Sequence, residues 1–200
     1  MTDPRPTLRS LLALPDTPAP LAQSALVLID CQNTYREGVM QLEGVEPALA
    51  QCATLLKRAR DAGAPVIHIQ HDAGPGTPYD VTAPIGAIAD VVAPADGEKV
   101  IIKTLPSSFE KTDLDEELKR LGVSNLVLAG FMTHVCVNST ARAAFNHGYA
   151  TTVVGNATAT RALADPSGGV VSAKELHNGA LAALADIFAI VVPSQDKIPG

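Results

Sequence analysis

Six short apolar runs constrain this chain more than any other feature. They lie at 25–30, 65–70, 99–102, 125–130, 150–155 and 187–192, and all are rich in Val, Ile and Leu. They are mostly continuous rather than alternating, the pattern of strands buried on both faces. Segments with helical spacing separate them, at 45–62, 112–121, 135–147 and 173–186. The last places Leu176, Ala180, Leu181 and Leu184 on one apolar side. Gly63, Gly122 and Gly148 each follow a helical segment, where glycine readily takes the left-handed terminating conformation. This alternation predicts an α/β fold in three layers, one sheet with helices on both faces.

Two hundred residues suit one domain with a sizeable core. Pro4, Pro6, Pro15, Pro18 and Pro20 mark residues 1–20 as a proline-rich arm, either disordered or wrapped on a neighbouring subunit. Residues 21–200 then form the domain proper. The net charge of −6, without clustered Lys and Arg, gives no support to a nucleic-acid or anionic-membrane surface. Aromatic residues are only 4% and tryptophan is absent, which argues against stacking platforms for bases. Cys31, Cys52 and Cys136 show no paired spacing, and so fit a reducing, cytoplasmic compartment. No apolar run is long enough to span a bilayer, and the amino terminus does not read as a signal peptide.

Asp30 closes the first apolar run and Lys103 follows the third. Cys136 follows the fourth, within Gly130-Phe131-Met132-Thr133-His134-Val135-Cys136-Val137. In an open parallel α/β sheet, ligands bind at the carboxyl ends of the strands. Parallel packing brings such ends together, so an acid, a base and a thiol converge there. A cysteine at a strand-to-helix crossover sits among N–H groups without intrahelical partners, a field that favours the thiolate. The competing reading makes Cys136 a small buried core residue. The broken stretch from His71 to Pro84, carrying Tyr79, is long enough to border a site, and Asp165–Gly169 is a second, weaker lid candidate.

Three motifs carry a resemblance. Asp30-Cys31-Gln32-Asn33-Thr34-Tyr35, Lys103 with Ser107-Ser108-Phe109, and the segment around Cys136 with Thr140 and Ala141 together resemble the isochorismatase-like cysteine hydrolases. The likeness runs from about Leu26 to Val192. It implies a doubly wound, six-stranded, mostly parallel sheet and a catalytic trio of Asp30, Lys103 and Cys136. It further implies a cis Phe131–Met132 bond, with the Met132 and Cys136 N–H groups as an oxyanion hole. Tyr35, Gln32, Tyr79 and His134 are the substrate-pocket candidates, with Gln32 also bracing the site and Asn33 orienting its loop. Thr34 and Tyr35 replace the family's Asp and Phe.

The implied reaction is cleavage of a C–N bond in a small carboxamide or ureide through a thioester. Metal-binding relatives carry Asp-x-His after the second strand, whereas here Asp72 precedes Ala73-Gly74-Pro75. No metal or cofactor is therefore expected, and His68 reads as a buried strand residue. Arg161 matches a position beyond the fifth strand in relatives and receives no catalytic role. Two rival readings stand beside the amide one: hydrolysis of a vinyl ether, and a non-catalytic oligomeric binding module. The expected partners are a small-molecule substrate and further copies of the chain, as a homodimer or homotetramer.

Overall fold

A computed structural model describes residues 5–200. Its strands are β1 (Ala25–Ile29), β2 (Val66–His71), β3 (Lys99–Lys103), β4 (Asn125–Phe131), β5 (Ala150–Ala159), β6 (Leu163–Ala164), β7 (Val170–Val171) and β8 (Ile190–Val192). The helices are α1 (Leu8–Leu11), α2 (Val45–Asp61), α3 (Leu114–Leu121), α4 (Asn138–Asn146) and α5 (Ala173–Ile187). Six strands form one sheet in the order β3-β2-β1-β4-β5-β8, every pair parallel. The mostly parallel sheet expected from sequence is thus wholly parallel. β6 and β7 make a separate antiparallel hairpin that turns through Asp165–Gly169.

The period-two geometry of a strand sorts β1 between two cores. Leu26 and Leu28 face one cluster with Leu49, Leu55 and Leu56 of α2. Val27 and Ile29 face the other, with Leu114 and Leu118 of α3, Ala141 of α4 and Leu184 of α5. Each such fully buried leucine stabilises the fold by roughly 1.5–3 kcal/mol. One helix on one face and three on the other give the three layers. The chain lays down β1, β2 and β3 towards one edge, then returns to β4, β5 and β8 on the other side. The order reverses between β1 and β4, the kind of switch point at which open α/β sheets bind ligands.

Several boundaries differ from those read in the sequence, and β5 runs on from 155 to Ala159, where its last residues pair with Gly130 and Phe131 of β4. The run 187–192 is split, because the amphipathic pattern of α5 carries Ile187 into the helix and the strand begins at Ile190. The helix expected from 135 opens instead with a π-helical turn over Thr133–Val137. The arm is neither wholly extended nor detached. Leu8 N–H donates to Asp186 Oδ1 at 2.9 Å and Arg9 Nη1 to the Ile187 carbonyl at 3.1 Å, docking α1 on α5. Residues 1–4 of the arm, Pro4 among them, lie outside the described residues. Among the described residues no helix is long and apolar enough to cross a membrane.

Candidate active site

Asp30, Lys103 and Cys136 meet at the reversal point. Asp30 caps β1 with a left-handed backbone (φ 49), one of the few L residues whose short polar side chain tolerates that region. The neighbouring Gly130 has φ +115, and a Cβ there would lie 2.0 Å from the Ile29 carbonyl oxygen. Only glycine lets β4 pass so close to the residue that aims the carboxylate. Lys103 lies two strands away on β3, and its side chain crosses the end of β2 to reach the centre. Its Nζ stands 2.7 Å from Asp30 Oδ2 and 3.4 Å from Cys136 Sγ. Cys136 sits in the π-helical turn, whose Val135 and Val137 N–H groups both donate to the Met132 carbonyl. The Phe131–Met132 bond before it is cis, as the resemblance implied.

All three side chains are withdrawn from solvent, with Asp30 at 0%, Lys103 at 1% and Cys136 at 6% exposure. Burial raises the Asp30 carboxyl, partly offset by Lys103. Burial and the Asp30 charge push the Cys136 thiol up to about 12, against the smaller pull of Lys103. This corrects the expectation of a resting thiolate: desolvation of a buried anion outweighs the field of the turn. The resting centre is an ion pair beside a neutral thiol.

The second motif acts as a tie. Ser108 donates its N–H to Thr140 Oγ1 at 3.0 Å, and the two hydroxyls lie 2.9 Å apart. The loop after Lys103 is thereby fastened to the helix that follows Cys136. Gln32 braces: its Nε2 donates to the carbonyls of His71 and Gly86, and its Oε1 accepts the His71 N–H. With three bonds to main chain and no exposure, its amide is spent on the scaffold rather than offered to the pocket. Asn33 Nδ2 donates to the Pro84 carbonyl, which orients the same loop. Gly86 belongs there because its α-carbon passes the Asp80 carbonyl, which a Cβ would meet at 2.1 Å.

Aromatic rings wall the centre. Tyr35 packs edge-on against Tyr79 and Phe131, with centroids 5.8 and 5.6 Å apart, and Tyr79 packs likewise on His71 at 5.0 Å. Tyr35 is buried, and burial with the nearby Asp30 and Cys136 raises its hydroxyl well above the usual value. Tyr79 is half-buried and arrives on the His71–Pro84 loop, which Asp80 pins through the N–H groups of Gly76 and Thr82. His134 bonds through Nδ1 to the Thr160 hydroxyl. Burial and then Arg161 hold its imidazole below the ordinary value.

The side chains after the second strand that resemble metal ligands are engaged elsewhere. His68 Nε2 donates to Glu98 Oε2 at 2.9 Å, and Asp72 Oδ1 accepts the Gly74 N–H. His71 instead joins the trio, with Nδ1 3.2 Å from Lys103 Nζ. Arg161, without a catalytic role on the sequence, has its Nε buried without a partner, and its charge reaches both His134 and Tyr79. Its signal was present in the sequence: it lies just beyond the fifth strand, at the edge that carries the other site residues.

Comparison with known proteins agrees with this geometry. The isochorismatase domain model matches residues 24–196. The secreted isochorismatase effector Isc1 of Verticillium dahliae is 36% identical over 191 residues, covering 95% of this chain and 98% of that one. The ureidoacrylate amidohydrolase RutB of Stutzerimonas stutzeri is 32% identical over 185 residues, covering 72% and 75%. The crystal structure of an isochorismatase from Pseudomonas putida KT2440 superposes with a TM-score of 0.91 at 38% identity, covering 95% and 97% of the two chains.

Proposed function

The chain is a hydrolase of the isochorismatase family, and from that premise we propose that it cleaves the C–N bond of a small carboxamide or ureide through a thioester on Cys136. One observation carries the reading: a buried thiol within 3.4 Å of a lysine ammonium that is itself paired with a carboxylate. A thiol held near 12 has a vanishing thiolate fraction at neutral pH, so attack requires a base at the moment of bond formation. Asp30, raised by its burial, is suited to that task.

Cys136 Sγ bonds to the carbonyl carbon as its proton passes to Asp30. The Met132 and Cys136 N–H groups receive the oxyanion. Collapse breaks the C–N bond, and Asp30 returns the proton to the departing nitrogen, releasing ammonia or an amine. Water then gives a proton to Asp30 as its oxygen bonds to the thioester carbon; the C–S bond breaks, the acid leaves, and Asp30 returns the proton to Cys136 Sγ. Lys103 Nζ, 2.7 Å from Asp30 Oδ2 and 3.4 Å from Cys136 Sγ, balances whichever of the two is anionic.

The unpartnered Arg161 Nε belongs to a cation close enough to Tyr79 and His134 to act on both. A half-buried arginine whose Nε is shielded from solvent and has no hydrogen-bond partner fits a substrate carboxylate, which would give that N–H a charge-assisted bond. The preferred substrate is thus a small acid bearing a terminal amide or ureido group, a class that includes the substrate in RutB's name. The test is ammonia release from nicotinamide, N-carbamoyl amino acids, biuret and aliphatic amides. Wild type, Cys136→Ala and Asp30→Asn are run with and without chelator. Chelator-insensitive release by wild type alone is expected; release by Cys136→Ala would refute the thioester.

The name of Isc1 favours a second reading, vinyl ether hydrolysis, and pyruvate release would identify it. A non-catalytic role would leave the trio without purpose. Buried, unpaired cysteines suit a reducing, cytoplasmic compartment, and cell fractionation tests this because Isc1 is by name secreted. Assembly as a homodimer or homotetramer is checked by light scattering.

A further inference from the structure

Lys103 must cross β2 to reach Asp30, and the residue it crosses is fixed by register. In the β2–β3 pair His71 stands directly opposite Lys103, so both side chains leave the same face of the sheet. A lysine ammonium has three N–H donors and no acceptor. The ammonium is ion-paired with Asp30 Oδ2 at 2.7 Å and donates to Cys136 Sγ at 3.4 Å, and His71 Nδ1 lies 3.2 Å from the same nitrogen. Because lysine can only donate, His71 Nδ1 must present a lone pair, which leaves the ring proton on Nε2.

The imidazole is held in place from two sides. Gln32 clamps the His71 main chain through both its N–H and its carbonyl, and Tyr79 packs edge-on against the ring. We propose that His71 is a positioning residue of this site: as the neutral Nε2–H tautomer it takes the third N–H of Lys103 and so aims the other two at Asp30 and Cys136. The proposal rests on the trio being the reactive centre. The charged and titratable groups facing the ring are Lys103 from β3, Asp72 next along the chain and Tyr79 from the loop. Burial, then Lys103, push the imidazole down to about 4 against the smaller pull of Asp72, so the ring is neutral through the physiological range.

This role is distinct from simple wall packing. A packing ring could be replaced by any side chain of similar bulk, whereas an acceptor for Lys103 needs a lone pair at the Nδ1 position. Without that acceptor the ammonium has one buried, unsatisfied donor and loses its fixed aim, and the Cys136 thiolate loses support.

The first test uses the native protein. Long-range 1H–15N correlation at pH 7, with the His71 signals assigned by their loss in His71→Asn, should show a protonated Nε2 and a bare Nδ1. A proton on Nδ1 would overturn the proposal. The second test follows iodoacetamide alkylation of Cys136 against pH, read by peptide mass spectrometry, in wild type, His71→Asn and His71→Leu. Asn supplies a carbonyl oxygen near the Nδ1 position and should react within about twofold of wild type. Leu should slow the reaction approximately tenfold at each pH between about 7 and 9. A His71→Leu profile that matches wild type, or a His71→Asn profile that matches His71→Leu, would refute the acceptor role. Alkylation needs no substrate, so failure here leaves the hydrolase reading standing, and failure of the substrate panel leaves this result intact.

Discussion

At the residue scale the site is governed by the cost of burying charge. Asp30 and Lys103 are both withdrawn from water and each is tolerable only because of the other. Removing one partner leaves an uncompensated buried charge. Lys103→Met is therefore expected to cost about 3–5 kcal/mol of stability as well as activity, measured by urea denaturation. Cys136→Ala removes an uncharged thiol, and should abolish turnover while costing far less than Lys103→Met in the same assay. Arg161→Met separates binding from chemistry. With an acidic substrate it should raise KM at least about tenfold, equivalent to about 1.4 kcal/mol, with little change in kcat. On a neutral amide it should change neither, and equal losses on both would refute the anion-binding role.

At the element scale, the close approach of β4 to β1 is what places Cys136 beside Asp30. Gly130→Ala would drive a methyl into the Ile29 carbonyl and force an L residue to φ +115. We expect it to lose about 3 kcal/mol or more, read as a lower urea midpoint. A milder case is the start of α5, where Ser172 Oγ accepts the Glu175 N–H and Glu175 answers through the Ser172 N–H. Ser172→Ala should cost about 1 kcal/mol, seen as a fall of roughly 2–4 °C in Tm with the site chemistry intact. Element identities were legible because continuous apolar runs and amphipathic spacing differ in period. Their ends were less so: Ile187 belongs equally well to an apolar strand and to the amphipathic face of α5. The π-helical turn at Thr133–Val137 leaves no periodic signature in five residues.

For the whole molecule, stability should form a plateau between two titrating limbs. His71 falls from its usual 6.5 to about 4, and Glu98, held by Arg60, from 4.5 to about 2. In both windows the unfolded chain binds more protons, so stability declines as pH drops from 6.5 to 4 and again from 4.5 to 2. Asp30, raised, acts in the opposite sense and softens the acid limb. Cys136, raised from 9 to about 12, favours the folded state until the unfolded thiol ionises, so stability is lost as pH climbs above 9. Calorimetric Tm values from pH 3 to 11 should show the plateau between about 6.5 and 9. Glu98→Gln should make the lower acid limb shallower, and Cys136→Ala should make the alkaline limb shallower while the part due to Tyr149, Cys31 and Tyr35 remains. The sequence alone determined the layers, the approximate strands and helices, and Asp30, Lys103 and Cys136, because each of these is written locally, in apolar periodicity or at the end of an apolar run. Only the tertiary structure decided that His71 meets Lys103, that Gln32 is a brace, that Arg161 Nε is buried without a partner and that the resting sulfur is a thiol. Those properties depend on strand register, on distances between segments far apart in the chain and on the water excluded when they pack, none of which is encoded within a single segment.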